Sequence, residues 1–488
     1  MARKKKEIFD NKGNDIRNLG YYSTPLEVSH YIQKSILEIN PRIKSVLDPA
    51  VGNEELLDLF IDKKISIDSF DVARLKTKYK SRFNHSDFLD YVMKNFPKTS
   101  FKRKKLRHDA IIMNPPYNCH EVDYIQKNRK KLKEYFVSSK ALNMYSLFMD
   151  AVISNSKPGA IIGMIVPDSF MTNIMHKDIR ELIISGCIIH KVLLCPINLF
   201  WSQKADVRTC ILVLEKNKPN SSPKTVRYMQ RSDDIDTFFN SLKKDRLDTC
   251  KSNDIYLSNS EDNKEIVLGA PKSVLKLFNN IRIGNAYKCV TGISTGNDGK
   301  YLSPIQTEEY PYQFFKNPGS HKFTCEPQGY LVKNFLEISN NEKTFMVRNK
   351  KFIGKEGITC SSMGVKFSAC FLPEKSTFGV NANIFPPKQE IGWLCCYLNS
   401  SLVQYILRAI LVRSNMVTSG YVSRIPLVNF SQIQKKELNK IYISAVQKEQ
   451  DTKESIIKID NIINKCCDFE KFTINKINNF CSNLYRNT

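Results

Sequence analysis

The apolar positions in the first half of the chain form short runs rich in β-branched residues, and segments with helical spacing separate these runs. This alternation is typical of βαβ units and predicts a parallel sheet. We expect strands, in chain order, in "IKSVLD", "ISIDSFDV", "HDAIIM" and "GAIIGMIVP". The segment "EELLDLFIDK", between the first two, carries its apolar residues on one helical face and predicts an amphipathic helix.

Two more apolar runs, "CIIHKVLLC" and "VRTCILVLEK", lie close together in the sequence. The connection between them is too short to hold a crossover helix, so we expect an antiparallel pair. The first half therefore predicts an α/β fold, a doubly wound, Rossmann-like sheet with an antiparallel edge.

The pattern changes in the second half of the chain. From "GNAYKCVTGISTG" to "GYVSRIPLVNF", short strands, turns and aromatic residues replace the βαβ alternation. From Ser431 onward the chain has helical spacing and no proline, which predicts one or two long helices. We therefore expect a first domain over residues 1–270, a smaller α+β domain over 271–430 and a helical tail over 431–488.

The charge balance adds a partner to this picture. The 488 residues include 74 Lys and Arg against 49 Asp and Glu, a net charge of +25, which favours a polyanionic partner and nucleic acid first. The chain shows no apolar run long enough to span a bilayer and no apolar stretch of a signal peptide at its basic start. We expect a cytoplasmic protein with no membrane partner. The 14 cysteines lack metal-ligand spacing, so no metal site is expected.

Acidic residues follow successive predicted strands, where an open parallel sheet binds its ligands. Asp48 and Asp71 are 71 − 48 = 23 positions apart, close to the spacing at which a second acid meets a ribose hydroxyl. Asp87 and Phe88 offer an acid and a ring, which suit the exocyclic amine and the face of a base. Together these residues predict a nucleoside-binding site.

The turn after the first strand decides between two kinds of nucleoside ligand. Its one glycine, Gly52, is followed by Glu54 and Glu55, and acidic residues at a helix start repel a pyrophosphate. This disfavours a nicotinamide dinucleotide. A nucleoside without phosphate, such as the cationic S-adenosylmethionine, fits better.

The run Asn114-Pro115-Pro116-Tyr117 directly follows the third predicted strand. The side-chain carbonyl of Asn114 and the backbone carbonyl of Pro115 can each accept one N–H of an exocyclic base amine. Two such acceptors favour an sp³-like nitrogen whose lone pair attacks a methyl donor. The prolines hold φ fixed, and Tyr117 offers a ring on which a flipped base stacks.

In order and content, about the first 215 residues resemble the gamma-class (TaqI-like) N6-adenine DNA methyltransferases of restriction–modification systems. The resemblance rests on "YYSTPLEVSHYI", "VLDPAVGNEELL", "DSFDV", "NHSDFLD", "NPPY" and "NLFWSQKADVRTCILVL". It implies S-adenosylmethionine as cofactor, bound by Tyr22, Thr24, Asp48, Pro49, Ala50, Gly52, Glu54, Asp71, Asp87 and Phe88. It also implies that Asn114, Pro115, Pro116 and Tyr117 are catalytic, and that Phe200 holds the second face of the flipped adenine. Trp201 is the alternative to Phe200.

Three local features carry further expectations. Many family members have a second glycine where this chain has Glu54, whose carboxylate we expect to bind the ammonium group of the cofactor rather than crowd the pocket.

Thr24-Pro25-Leu26-Glu27 has the pattern of a capping box. The basic runs 101–108 and 128–133 flank the catalytic motif and are interpreted as phosphate contacts.

The second domain resembles the target-recognition domain of the same family, through "VTGISTGNDGKYL" and "GYVSRIPLV". This implies double-stranded DNA as partner. Because only 20 residues precede Tyr21, the resemblance implies a separately encoded restriction endonuclease or none. The interpretation is a site-specific DNA adenine-N6 methyltransferase. A cytosine-N4 or RNA amino-methyltransferase, or a non-catalytic DNA-binding subunit, stays open as an alternative.

Overall fold

The computed structural model describes residues 20–97, 105–118, 122–204, 206–217, 225–413, 416–447 and 451–484. The chain divides into two compact units, Met1–Gly269 and Ala270–Thr488.

A nine-stranded sheet forms the centre of the first unit, counted over the described residues. Its strands are β1 (Ser45–Asp48), β2 (Ser66–Asp71), β3 (Arg82–His85), β4 (Ala110–Met113), β5 (Ile161–Pro167), β6 (Cys187–Leu194), β7 (Thr209–Lys216), β8 (Thr225–Met229) and β9 (Asp248–Lys251). Their order across the sheet is β3-β2-β1-β4-β5-β7-β6-β8-β9. Strands β1 to β5 pair in parallel, and β7 runs antiparallel to β5 and β6. The predicted doubly wound sheet with an antiparallel edge is confirmed.

Helices cover this sheet. They are α1 (Leu26–Ile39), α2 (Asp58–Asp62), α3 (Phe88–Asn95), α4 (Asp123–Tyr135), α5 (Met144–Asn155), α6 (Lys177–Gly186) and α7 (Ile235–Lys243). The apolar face of α1 packs closely on β5 at Gly163. A Cβ atom at Gly163 would lie 2.6 Å from Ile32 Cγ2 and 2.9 Å from Ile36 Cδ1. The helix can therefore lie this close to the sheet only because residue 163 has no side chain.

Some elements of this unit were not predicted by the sequence pattern or differ from the prediction. Strand β3 is at the sheet edge and mostly exposed, so it lacks the apolar alternation of a buried strand. Strands β8 and β9 and helix α7 extend the sheet through a stretch whose pattern is weak. The helix predicted from residue 54 begins only at Asp58, and the residues before it form turns in which Glu54 adopts a left-handed conformation with φ of 68°.

The second unit contains small sheets. Its strands are β10 (Lys288–Val290), β11 (Ile293–Ser294), β12 (Leu302–Ser303), β13 (Tyr312–Phe315), β14 (Tyr330–Leu331), β15 (Met346–Val347), β16 (Gly357–Cys360), β17 (Ala369–Leu372), β18 (Thr377–Phe378) and β19 (Asn383–Phe385). They form the sheets β10-β19-β16-β17, β12-β14-β13-β18 and β11-β15. Most of the pairing is antiparallel, with β13 and β18 parallel.

Helices complete the second unit. They are α8 (Lys272–Lys276), α9 (Ile283–Ala286), α10 (Asp298–Tyr301), α11 (Phe335–Asn341), α12 (Ile391–Leu398), α13 (Ser401–Tyr405), α14 (Ser419–Val422), α15 (Gln432–Val446), α16 (Thr452–Cys466) and α17 (Lys471–Ser482). The predicted helical tail is confirmed, and its described part holds three helices, one more than the two expected. Asp451 caps the start of α16 by accepting from Lys453 N, and Asp468 takes a left-handed φ of 48° between α16 and α17. Asp460 on α16 accepts from Ser401 N (2.9 Å) and Ser401 Oγ (2.6 Å), which ties the tail to α13.

Over the described ranges, no single helix has the length and apolar composition to cross a bilayer. The helical stretches Lys388–Leu398 and Ser401–Leu411, bent by 63° at their break, meet those criteria only when taken together.

The contact between α1 and β5 is testable. Gly163→Ala forces a methyl group against Ile32 and Ile36, and overpacking of this kind costs about 1–3 kcal/mol of the free energy of unfolding. Urea unfolding followed by circular dichroism measures the loss. Gly186→Ala is the control, because its Cβ would meet only the flexible end of Lys216. Equal stability of the two variants would show that α1 does not need the glycine.

Candidate active site

A cavity of about 310 Å³ opens where the carboxyl ends of the parallel strands meet. Strand order reverses between β1 and β4, and this is the point at which open α/β sheets bind ligands. Of the residues predicted from the sequence, the cavity is lined by Pro49, Ala50, Asp71, Asp87, Phe88, Asn114 and Pro116. The fold therefore brings the predicted cofactor and catalytic motifs to one cavity. Within the described part of the chain, no group of His, Cys, Asp or Glu side chains is arranged to hold a metal ion.

Asp48 and Asp71 shape the floor of the cavity. Asp48 is buried and accepts from Ala50 N at 3.0 Å, while its Oδ2 has no hydrogen-bond partner among the described residues. Burial raises the pKa of the Asp48 carboxyl well above its usual range. Asp71 accepts from Gly52 N and from Ala73 N, each at 2.9 Å, and burial raises its pKa despite these bonds. Asp71 lines the cavity, whereas Asp48 holds the loop beneath it.

Gly52 lies under the ring of Tyr21. Its φ is 52°, and a Cβ atom there would come within 2.4 Å of Tyr21 Cε2. The position therefore requires glycine for its conformation and for the space above it. Tyr21 lines the cavity, and its hydroxyl donates to Glu55, so the ring covers the loop that holds Asp71.

The other end of the cavity combines an acid with aromatic rings. Asp87 caps α3 by accepting from Asp90 N at 3.0 Å, and burial raises its pKa. Phe88 packs against Phe148 with ring centroids 5.9 Å apart. Tyr124 on α4 also lines this end, with its hydroxyl 3.5 Å from Asp87 Oδ1. Nothing in the sequence around Tyr124 signals this position, because the chain separation to its partner is 37 residues.

Asn114 has a defined side-chain orientation. Its Nδ2 donates to Tyr22 O at 2.7 Å and to Thr24 Oγ1 at 3.0 Å. A backbone carbonyl oxygen only accepts, so the nitrogen end of the amide must face Tyr22. The Oδ1 acceptor has no hydrogen-bond partner in the described residues and belongs to a side chain that lines the cavity. Asn114 thus offers a preset hydrogen-bond acceptor to whatever occupies the cavity.

Tyr22 and Thr24 serve Asn114 instead of lining the cavity. The predicted capping box is wrong, since Pro25 is the residue before α1 and no side chain caps that end of the helix. The hydroxyl of Thr24 is used by the amide of Asn114 instead. A tertiary hydrogen bond, across 90 residues of chain, has replaced the local one.

Glu54 also differs from its predicted use. Its carboxylate accepts from Lys76 Nζ at 2.7 Å, from the backbone N–H groups of Lys80 and Ser81, and from Ser81 Oγ at 2.8 Å. Burial would raise the pKa of Glu54, but the hydrogen bonds from Lys76 and Ser81 lower it below its usual value. The carboxylate of Glu54 therefore binds the segment 76–81 and does not bind a ligand's ammonium group in this arrangement. The left-handed backbone of Glu54 explains why glycine suits this position.

The aromatic rings of Tyr22, Tyr117 and Phe200 contact one another. Tyr117 stacks on Tyr22 with centroids 5.6 Å apart, and Phe200 meets Tyr117 edge-on at 6.1 Å and 77°. Phe200 is fully buried, whereas Trp201 is 55% exposed. Because the rings of Tyr117 and Phe200 touch at a steep angle, no base fits between them in this arrangement.

The basic runs differ in exposure. On α4, the side chains of Arg129, Lys130, Lys131 and Lys133 are exposed, and Lys131 lies 3.3 Å from Asp90. Residues 101–104 of the first run, like the amino-terminal run, lie outside the described residues. In the remainder of that run, Lys105 donates to Ser154 O, and His108 Nε2 lies 2.8 Å from Asp68 Oδ2, so both are occupied within the protein.

Residues 9–268 match the protein family described as N-6 DNA Methylase. Several solved structures are similar over most of the chain. The DrdV–DNA complex has a TM-score of 0.53 at 12% identity, over 88% of this chain and 57% of that one. A nuclease-deletion mutant of the Type ISP restriction–modification enzyme LlaGI, in complex with a DNA substrate mimic, has a TM-score of 0.53 at 11% identity, over 86% of this chain and 55% of that one. The ATP-dependent Type ISP restriction–modification enzyme LlaBIII bound to DNA has a TM-score of 0.52 at 10% identity, over 91% of this chain and 39% of that one. The chain spans well under two thirds of the length of these three proteins.

The hydroxyl of Thr24 provides a test of the orientation of Asn114. Thr24→Val keeps the shape of the side chain but removes one acceptor, which costs about 0.5–1.5 kcal/mol of the free energy of unfolding. Thr24→Ser restores the hydroxyl and is the matched control. Urea unfolding of the three proteins measures the difference. If Thr24→Val is as stable as wild type, the hydroxyl does not hold Asn114.

Proposed function

Because the chain belongs to the N-6 DNA methylase family, we propose that it is a site-specific DNA methyltransferase that methylates N6 of adenine in duplex DNA. The methyl donor is S-adenosylmethionine. The observation that carries the proposal is the fixed amide of Asn114, whose oxygen is left without a protein partner among the described residues, at the cavity.

The residues of the cavity suit this cofactor. Asp71 offers a carboxylate to the ribose hydroxyls, and its own position is held by two backbone N–H groups. Asp87 and Phe88 offer an acceptor and a ring to the adenine part, with Pro49 and Ala50 along the wall. When bound, S-adenosylmethionine supplies an electrophilic methyl group.

Asn114 prepares the amine of the target base for that methyl group. Its Oδ1 accepts one N–H, and the carbonyl of Pro115 is the expected acceptor for the other. Both acceptors favour the pyramidal nitrogen of the transition state over the planar nitrogen of the ground state. Since the amide of Asn114 is already oriented by Tyr22 and Thr24, this stabilisation costs no rearrangement during the reaction.

The target base has to leave the helix to reach Asn114. Tyr117 is the ring for one face and Phe200 the ring for the other. In the present arrangement these two rings contact each other, so reception of the base requires the loop that carries Phe200 to move.

We assign DNA recognition to residues 271–430. Support for duplex DNA as the substrate comes from the net charge of +25 and from the exposed basic side chains of α4. Similar solved structures include two Type ISP restriction–modification enzymes, one in complex with a DNA substrate mimic and one bound to DNA, which supports a role in such a system, with a restriction endonuclease as partner.

Purified protein, duplex DNA and labelled S-adenosylmethionine test the reaction directly. We expect N6-methyladenine among the digested nucleosides, measured by mass spectrometry. Asn114→Ala should lower kcat about 10²–10³-fold, the scale for losing one preorganised partner, with unchanged cofactor affinity.

Asn95→Ala, at the exposed end of α3, is the control for Asn114→Ala and should keep full activity. Comparable kcat in Asn114→Ala would refute the catalytic role of Asn114. If 4-methylcytosine or methylated RNA is the only product, the proposed substrate, adenine in duplex DNA, is wrong. Failure to bind S-adenosylmethionine in calorimetry would favour the non-catalytic DNA-binding subunit.

Cofactor affinity should depend on pH through Asp71. Burial raises the pKa of this carboxyl, and the protonated form accepts hydroxyl hydrogen bonds more weakly than the carboxylate. Affinity for S-adenosylmethionine should therefore fall as pH decreases from neutral towards the raised pKa. Titration calorimetry at several pH values measures this. Asp71→Asn should bind more weakly at neutral pH and show a smaller pH dependence, with the remainder due to Asp87. An unchanged pH profile in Asp71→Asn would remove Asp71 from the site.

A further inference from the structure

The side chain of Gln203 attaches the turn after Phe200 to the amino-terminal motif. Gln203 ends the 3₁₀ helix Trp201–Gln203. Its Oε1 accepts from Ser23 N at 2.7 Å, and its Nε2 donates to Ser23 O at 2.7 Å. A single planar amide thus satisfies both backbone polar groups of Ser23, across 180 residues of chain.

Ser23 lies between the two residues that orient Asn114. Tyr22 provides the carbonyl oxygen and Thr24 the hydroxyl that accept from Asn114 Nδ2. The backbone of Ser23 is held by Gln203, so the positions of both acceptors depend on the turn at residue 203. The orientation of Asn114 is therefore linked to the loop that carries Phe200.

The same motif is attached to the cofactor loop. Ser23 Oγ donates to Glu55 Oε1 at 3.0 Å, and the hydroxyl of Tyr21 donates to the same oxygen. Glu55 also accepts from Asn53 N at 3.1 Å. Residues 21–24 thus contact three loops, and they reach the loop that carries Phe200 through Gln203 and through the ring of Tyr22, whose centroid is 6.0 Å from that of Phe200.

We propose that Gln203 is a positioning residue for methyl transfer, which sets the orientation of Asn114 through the backbone of residues 22–24. This rests on the proposed function. With Gln203 bound to Ser23, both acceptors of Asn114 Nδ2 are held in place. Movement of the loop that carries Phe200, which admits the base, releases Ser23. Methyl transfer then requires Gln203 to bind Ser23 again around the bound base, and this couples the oriented acceptor to the closed loop.

The chemistry of the contact specifies glutamine. Pairing with a backbone N–H and a backbone C=O needs one acceptor and one donor in one plane, which an amide supplies. Asparagine is shorter by one methylene group. Glutamate keeps the acceptor, but its carboxylate faces the Ser23 carbonyl without a proton to donate.

The experiment compares Gln203→Ala, Gln203→Glu and the control Ser202→Ala in the full chain. Ser202 lies in the same turn, is exposed, and makes no hydrogen bond in the described structure. Gln203→Ala should lower kcat about 10- to 100-fold, the scale of a small misplacement at the reacting centre, without change in cofactor affinity. Ser202→Ala should match wild type.

The pH profile of Gln203→Glu separates positioning from a general loss of stability. A protonated carboxyl group has a donor and an acceptor, like the amide, so the kcat of Gln203→Glu relative to wild type should rise as pH falls. For Gln203→Ala this ratio should stay flat. Glu55, which also accepts a hydrogen bond from Ser23, is present in all three proteins, so each kcat is compared as a ratio to wild type. A ratio as flat for Gln203→Glu as for Gln203→Ala would overturn the proposal.

A second readout does not depend on activity. The side-chain amide protons of Asn114, assigned by their absence in Asn114→Ala, should exchange with solvent faster in Gln203→Ala than in wild type. If the wild type methylates DNA but Gln203→Ala keeps its kcat and its exchange rate, the positioning role is refuted and the proposed function stands. If the wild type methylates no nucleic acid while exchange is faster in Gln203→Ala, the proposed function fails and the linkage stands.

Discussion

The direction of one side-chain amide determines what this cavity can do. Tyr22 O can only accept, so a reversed amide at Asn114 would set two oxygens against each other. The hydrogen bond to Tyr22 therefore excludes the wrong orientation, and the bond to Thr24 adds to it. Strand β4 ends at Met113, so Asn114 lies at the carboxyl end of a central strand. The two prolines that follow fix the backbone there and have no N–H groups that could compete. The contacts of Glu55 and Gln203 with residues 21–23 matter because they hold the segment that carries the two acceptors, Tyr22 O and Thr24 Oγ1.

The charges of the protein are divided between the inside of the site and its surroundings. Asp48, Asp71 and Asp87 are carboxyl groups in or beneath the cavity, and burial raises the pKa of each. The whole chain carries a net charge of +25. An acidic cavity suits a cationic donor such as a sulfonium, and a basic exterior suits a phosphate backbone. The opposite electrostatic requirements of the two proposed substrates are thus compatible with one molecule.

Sequence reasoning succeeded where the signal was local and failed where the partner was distant. Alternating apolar runs predicted the parallel strands, and the residues that follow them predicted seven of the residues that line the cavity. Edge strand β3 was missed because an exposed strand has no apolar alternation. The residues that follow Thr24 match the pattern of a capping box, but in the structure its hydroxyl accepts a hydrogen bond from Asn114. The uses of Glu54, Tyr124 and Gln203 depend on partners 22 to 180 residues away, which no local pattern records.

The length of chain between these partners has a consequence for protein synthesis. Asn114 and its acceptors are 92 and 90 residues apart, and Gln203 and Ser23 are 180 apart. Closure of such long loops is entropically costly and comes after local structure has formed. A ribosome must therefore extend the chain beyond residue 203 before the motif at residues 21–24 has all its partners. The surroundings of this motif are therefore completed late, and a nascent chain that ends before residue 203 still lacks the two hydrogen bonds to the backbone of Ser23.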